Sequence, residues 1–291
     1  MNKASAQKVS LVLSSGGSRG LAHIGVINEL ERQGFKISSV AGSSIGSVIG
    51  GLHAMGKLQE YTDWVKPMNR QIIWGLMDFA LSSSGLSKGE KVFNKMKAFI
   101  PDMNIEEMNI PFVAVATDLL NEKEVIFNSG SYYDAIRASV SIPGIFTPVM
   151  NKGVMLVDGG VLSPVPIEHV KRLNDDILVV VNLYGDKKVE SEKASLSNND
   201  QTTKLNALMK YITKSGISEK KGGLGYYAML TATSAAMIHK IAKQNIEKHR
   251  PDILINIPAD SANTFDFHKA EELIKIGELA AKETISKYYN S

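Results

Sequence analysis

The sequence predicts an α/β fold with a mostly parallel central sheet flanked by helices. Two observations carry that prediction. From Val9 to Gly56 the pattern runs strand, turn, helix, strand, turn, helix, and repeated units of that kind build a parallel sheet covered by helices. The chain has 291 residues, 44% of them hydrophobic and 22% charged. That is enough to bury a sizeable core in one large α/β domain or two small ones.

Val9 to Leu13 is β-branched and aliphatic, as in a buried strand. Ser14 to Gly20 breaks the pattern. Leu21, Ile24, Ile27 and Leu30 then form a helical stripe that Gly34 closes. Lys36 to Ala41 is a second short strand, and Gly42 to Gly46 a tight turn. A second helix follows, with Ile45, Val48, Ile49, Leu52 and Met55 as its apolar face. Later strands are expected at Phe112 to Ala116, Glu124 to Phe127, Val154 to Val157, Ile177 to Leu183 and Asp252 to Ile257. Helices are expected at 57–66, 88–99, 132–140, 166–173, Tyr227 to His249 and Lys269 to Tyr288. Residues 186–225 hold eight Lys against five Asp and Glu and no sustained strand pattern, which predicts a solvated insertion or mobile loop.

Several function classes drop out on composition. A net charge of +3 is too small to make nucleic acid the main partner. The absence of cysteine excludes disulfides, thiolate catalysis and cysteine-ligated metal. Residues 1–8 contain no apolar run for a signal peptide, and no window reaches the roughly 18 apolar residues of a spanning helix. The expectation is a cytoplasmic protein that is free to touch the inner face of a membrane from the side.

Three segments carry chemistry. Ser15-Gly16-Gly17-Ser18-Arg19-Gly20 joins a strand to a helix, where backbone amides point outward. It can cradle a phosphate or hold an oxyanion. The dinucleotide fingerprint fits poorly, because Ser15 stands at its first glycine and the second strand ends without an acid. Gly42-Ser43-Ser44-Ile45-Gly46 sets Ser44 on a sharp strand-to-helix corner, exposed for attack; a plain helix-capping serine is the alternative. Val154 to Gly160 is a strand ending in Asp158-Gly159-Gly160. A desolvated carboxylate there can act as base, and an ordinary Asp-Gly turn is the alternative. Asp118 is a weaker rival base. His169, His239, His249 and His268 lie in or beside charged helical stretches with no catalytic signature, so a serine enzyme here needs another base.

Taken together, these segments resemble the patatin-like phospholipases, whose pattern is Asp-Gly-Gly-Gly-x-Arg-Gly, then Gly-x-Ser-x-Gly, then Asp-Gly-Gly/Ala. Arg137-Ala138-Ser139, Ser141 to Phe146 and Ser163-Pro164-Val165-Pro166 extend the likeness, which covers about residues 8–185. Ser14 and Ser15 replace the family's Asp-Gly, and Ser163 replaces its Asn. The resemblance implies a three-layer fold in one domain over 1–291, with a catalytic core at 8–185 and a helix–strand–helix at 226–291. It implies an ester hydrolase acting on phospholipids or lysophospholipids with no cofactor and no metal. Ser44 is the nucleophile and Asp158 the base. Gly16, Gly17 and Ser18 supply the oxyanion amides, and Arg19 buttresses their loop. A regulatory or nucleotide- or anion-binding protein using residues 16–20, with little or no turnover, is the alternative.

Two apolar stretches remain. Residues 68–81, including Met68, Ile73, Trp74 and Leu76, are either core or an acyl-chain wall or lid. The stripe Tyr227, Leu230, Met237, Ile238 and Ile241 is expected in the core. Exposure of either, near a Lys-rich segment, would suit docking on anionic lipid.

Overall fold

Eight strands form one sheet in the computed structural model, which describes residues 7–76, 89–151, 153–187 and 226–290. In chain order the elements begin β1 Lys8–Leu13, α1 Ala22–Arg32, β2 Lys36–Ser43, α2 Ile45–Ala54, α3 Leu58–Val65, α4 Arg70–Leu76 and α5 Glu90–Lys97. They continue β3 Phe112–Asp118, β4 Lys123–Phe127, α6 Tyr132–Ser139, β5 Val149–Asn151, β6 Val154–Asp158 and β7 Asp176–Gly185. The chain closes with α7 Tyr226–His249, β8 Ile253–Pro258 and α8 Ala270–Tyr289.

The sheet runs β5-β6-β3-β2-β1-β7-β8, with β4 also paired to β3. From β3 to β8 the neighbours are parallel; β4, β5 and β6 make the antiparallel end. The central strands are apolar on both faces, as a helix-covered parallel sheet requires. Leu11, Leu13, Val179 and Val181 face the layer of α1, α2 and α8. Val12, Leu178 and Val180 face Ala242 of α7 and the segment around Val165 and Ile167.

Three readings need correction. The helix expected at 166–173 is only a short 3-10 turn, Ile167–His169. Pro164 and Pro166 disfavour helical geometry before them, and Val165, Ile167 and Val170 bury as an irregular strip against the sheet. Strand β2 runs on to Ser43, because Gly42 and Ser43 still pair with Ala114 and Val115. In the α7 stripe, Leu230 and Met237 are 46% and 61% exposed; α7 packs through Ala242 and Ile246 instead. The side chain of Tyr227, the end of the 68–81 stretch beyond Leu76, and the insertion beyond Lys187 lie outside the described residues. Strand β5 was not legible, being three residues long. Among the described residues no helix is long and apolar enough to cross a membrane.

Candidate active site

Strand pairing brings the Ser44 and Asp158 side chains together. On β3, Ala114 to Asp118 pair with β4 along one side. On the other side β2 pairs with Phe112 to Val115, and β6, running the opposite way, with Ala116 to Asp118. The ends of β2 and β6 therefore meet head on, where Ser43 faces Val115 and Asp158 faces Ala116.

Ser44 sits at that junction with φ 53 and ψ −125, a strained conformation for a residue with a side chain. The corner is tight enough that a Cβ on Gly42 would stand 2.3 Å from the Gly46 carbonyl oxygen, and one on Gly46 2.2 Å from that of Leu13. Helix α2 starts at the next residue, so its positive end faces the hydroxyl. The Ser44 amide donates to Ser139 Oγ at 2.9 Å, and Ser139 donates to the Val115 carbonyl at 2.6 Å. Ser139 falls in a stretch that extends the family likeness, but nothing local in the sequence gives it this role.

The Ser44 hydroxyl donates to Asp158 Oδ2 at 2.5 Å. The other carboxylate oxygen accepts the Gly160 amide at 2.7 Å. Both residues are buried, so Ser44 is not exposed as its corner motif predicts and is reached through the cavity that it lines. Burial pushes the Asp158 carboxyl up to about 6, against the opposing effect of the bonds from Ser44 and Gly160. This carboxyl therefore ionises near neutral pH and accepts a proton more readily than an ordinary Asp.

The glycine-rich loop lies beside the pair. Gly17 has φ 60 and lines the same cavity as Ser44. The Gly16 and Gly17 amides have no acceptor among the described residues, which leaves them available to an oxyanion. Ser18 departs from expectation: its amide donates to the Thr264 carbonyl at 2.9 Å. Arg19 donates from Nε to the Gly16 carbonyl at 3.2 Å and from Nη1 to the Ala259 carbonyl. Below, the Nε2 of His23 contacts the Ser14 carbonyl at 2.9 Å. Burial pulls this imidazole down to about 4, so it is neutral at physiological pH, with Nε2 as the N–H donor that the carbonyl requires.

An apolar cavity of about 140 Å3 opens from Ser44 between α2, α3, α4 and α5. Met68, Ile73 and Leu76 line it, while Ile72 and Trp74 point outward. The described part of the 68–81 stretch thus serves as a cavity wall. A wider groove of about 520 Å3 lies at the far end of α2 beside His53. Neither Ser44 nor Asp158 lines it; the smaller cavity is the one that Ser44 lines.

The rival groups lie elsewhere. Asp118 caps its own turn, accepting the Leu120 amide and the Asn121 side chain. His169 pairs with Glu124, His249 with Glu168, and His268 accepts from Arg70. None of these histidines hydrogen-bonds to Ser44. No group of three or more metal-ligating side chains occurs among the described residues.

The sheet thus carries a serine on a strained corner hydrogen-bonded to a buried aspartate, the arrangement of an α/β hydrolytic site. The family model for Patatin-like phospholipase matches residues 11–171, and the chain belongs to that family. That membership makes it a lipid hydrolase. An "Uncharacterized NTE family protein" of Mycobacterium bovis is 30% identical over 98% of this chain and 93% of its own length. "Lysophospholipase NTE1" of Kluyveromyces lactis is 28% identical over 94% of this chain, which spans only 19% of that longer protein. Among solved structures, VipD from Legionella pneumophila aligns over 98% of this chain and 67% of its own at 15% identity, with a TM-score of 0.47.

Proposed function

We propose that the protein is a serine acyl hydrolase that cleaves the carboxylic ester of phospholipids, and of lysophospholipids in particular, through a Ser44–Asp158 dyad. The observation that carries this reading is the 2.5 Å bond from a strained serine to a buried carboxylate at the mouth of an apolar cavity. Asp158 takes the Ser44 proton as Oγ adds to the ester carbonyl. The Gly16 and Gly17 amides and the start of α2 stabilise the tetrahedral oxyanion. Collapse breaks the ester C–O bond, and Asp158 returns the proton to the leaving alcohol. Water then adds to the acyl-enzyme, giving its proton to Asp158, and the free acid leaves as Ser44 regains its hydrogen.

The narrow apolar cavity beside Ser44 suits one acyl chain, which favours the lysophospholipid. The name of the fungal relatives points the same way. Exposed Ile72 and Trp74 beside the cavity suit peripheral contact with a membrane surface, from which such substrates are drawn.

Ser44→Ala is expected to lower turnover of a nitrophenyl ester and of a lysophospholipid by at least about a thousandfold, and to abolish labelling by a fluorophosphonate. Undiminished turnover, or labelling at another serine, would overturn the reading.

A further inference from the structure

The acyl cavity and a second, polar feature lie on opposite faces of the sheet, with the dyad at the edge between them. Cavity residues such as Val48, Val65 and Met68 belong to the core on the α2 face. Tyr184, near the carboxyl end of β7, packs on the α7 face instead. A substrate reacting at Ser44 with its acyl chain in the cavity extends its leaving alcohol away from that cavity.

Tyr184 is tied to the catalytic loop. Its hydroxyl hydrogen-bonds to Ser15 Oγ. A Cβ placed on Gly160 would stand 2.6 Å from that oxygen and 2.9 Å from Asp158 Oδ1, so Ser15 lies against the base. The His239 ring of α7 meets the Tyr184 ring edge-on, with centroids 4.9 Å apart, and Arg19 lies 5.9 Å from the centre of the same phenol. His239 is exposed, and neither of its ring nitrogens hydrogen-bonds to a described residue. Desolvation holds the imidazole below its ordinary basicity, and the positive charges of Arg19 and Lys187 add to that effect. A surface imidazole with an N–H open to solvent, near Arg19 and Lys187, is matched by an anionic acceptor.

We propose that His239, seated on Tyr184, forms a subsite for the phosphodiester of the leaving alcohol. The inference rests on the ester-hydrolase reading of Ser44 and Asp158. The imidazole N–H donates to a phosphate oxygen, and the phosphate's charge is favoured by the nearby cations. Ser15 stands where the resembled pattern has glycine, which could not hold the phenol.

The test compares two substrates with the same acyl chain, lysophosphatidylglycerol and the uncharged monoacylglycerol. For wild type, kcat/KM is expected to favour the phosphodiester. His239→Ala is expected to reduce that preference about tenfold, mainly through KM, as expected for a lost hydrogen bond to a charged group. His239→Gln, which keeps a donor, is expected to recover most of it. Glycerol 3-phosphate should compete with substrate in wild type and about tenfold less well in His239→Ala. A preference unchanged by His239→Ala overturns the subsite. Equal competition by inorganic phosphate and glycerol 3-phosphate would also overturn it, by showing an anion site with no part in head-group recognition. Absence of hydrolysis of both substrates by wild type would instead be a failure of the dyad reading.

Discussion

The chemistry of the site is set by what surrounds one carboxyl. Asp158 gains two hydrogen bonds, both of which favour its ionised form, yet burial outweighs them and its pKa rises to about 6. As the proposed base it must be ionised, so kcat/KM is expected to fall about tenfold per pH unit below about 6, with a plateau above. A pH-rate profile checks this; a flat acid limb would remove Asp158 from the role. The same shift affects stability. Between the ordinary carboxyl value and about 6, the folded protein binds more protons than the unfolded chain, so this group's contribution to stability falls as pH rises through that window. Above it, the ionised carboxylate carries a penalty of about 3 kcal/mol. Asp158→Asn is therefore expected to abolish turnover while raising stability at pH 8 by about 1–3 kcal/mol. Urea denaturation at pH 8 and pH 5 measures it, with the gain shrinking at the lower pH.

Helices and strands position these groups through close contacts, and two elements offer direct tests. Helices α1 and α8 cross where Gly25 and Gly277 face each other's backbone. A Cβ on Gly277 would stand 2.0 Å from the Ala22 carbonyl oxygen. Gly277→Val is expected to push α8 off α1 and destabilise the protein by about 3 kcal/mol or more, seen as a lower urea midpoint. Near α4, Met68 lies on the wall of the acyl cavity. Met68→Trp should fill part of the roughly 140 Å3 and lower kcat/KM for a sixteen-carbon ester relative to a four-carbon one by about tenfold. A chain-length profile like that of wild type would place the acyl chain elsewhere. The exposed outer half of α7 shows the limit of reading helices from periodicity. Leu230 and Met237 carry a core-like spacing, yet nothing described covers them, because a stripe records which face is apolar and not what meets it.

At the scale of the whole molecule, the fold class and the order of most elements were legible because hydrophobic period is a local property. Val9 to Leu13 and Ile177 to Leu183 are apolar on both faces and read as buried strands with no further information. Ser44 and Asp158 stood out because glycines flank them, and glycine marks places where backbones must approach closely. Where proline overrode the apolar spacing, at 164–170, the helix expected there gave way to a short turn. The amino-acid order alone determined which residues form strands and helices, and which serine and carboxylate could react. Only the tertiary structure decided that they touch. They are 114 positions apart, and their meeting depends on β2 and β6 sharing one side of β3, a register set by long-range pairing that no local pattern encodes. It also decided that the Ser18 amide turns to Thr264 and that Ser139 holds the Ser44 amide, since hydrogen bonds between distant segments exist only once both have been brought into place.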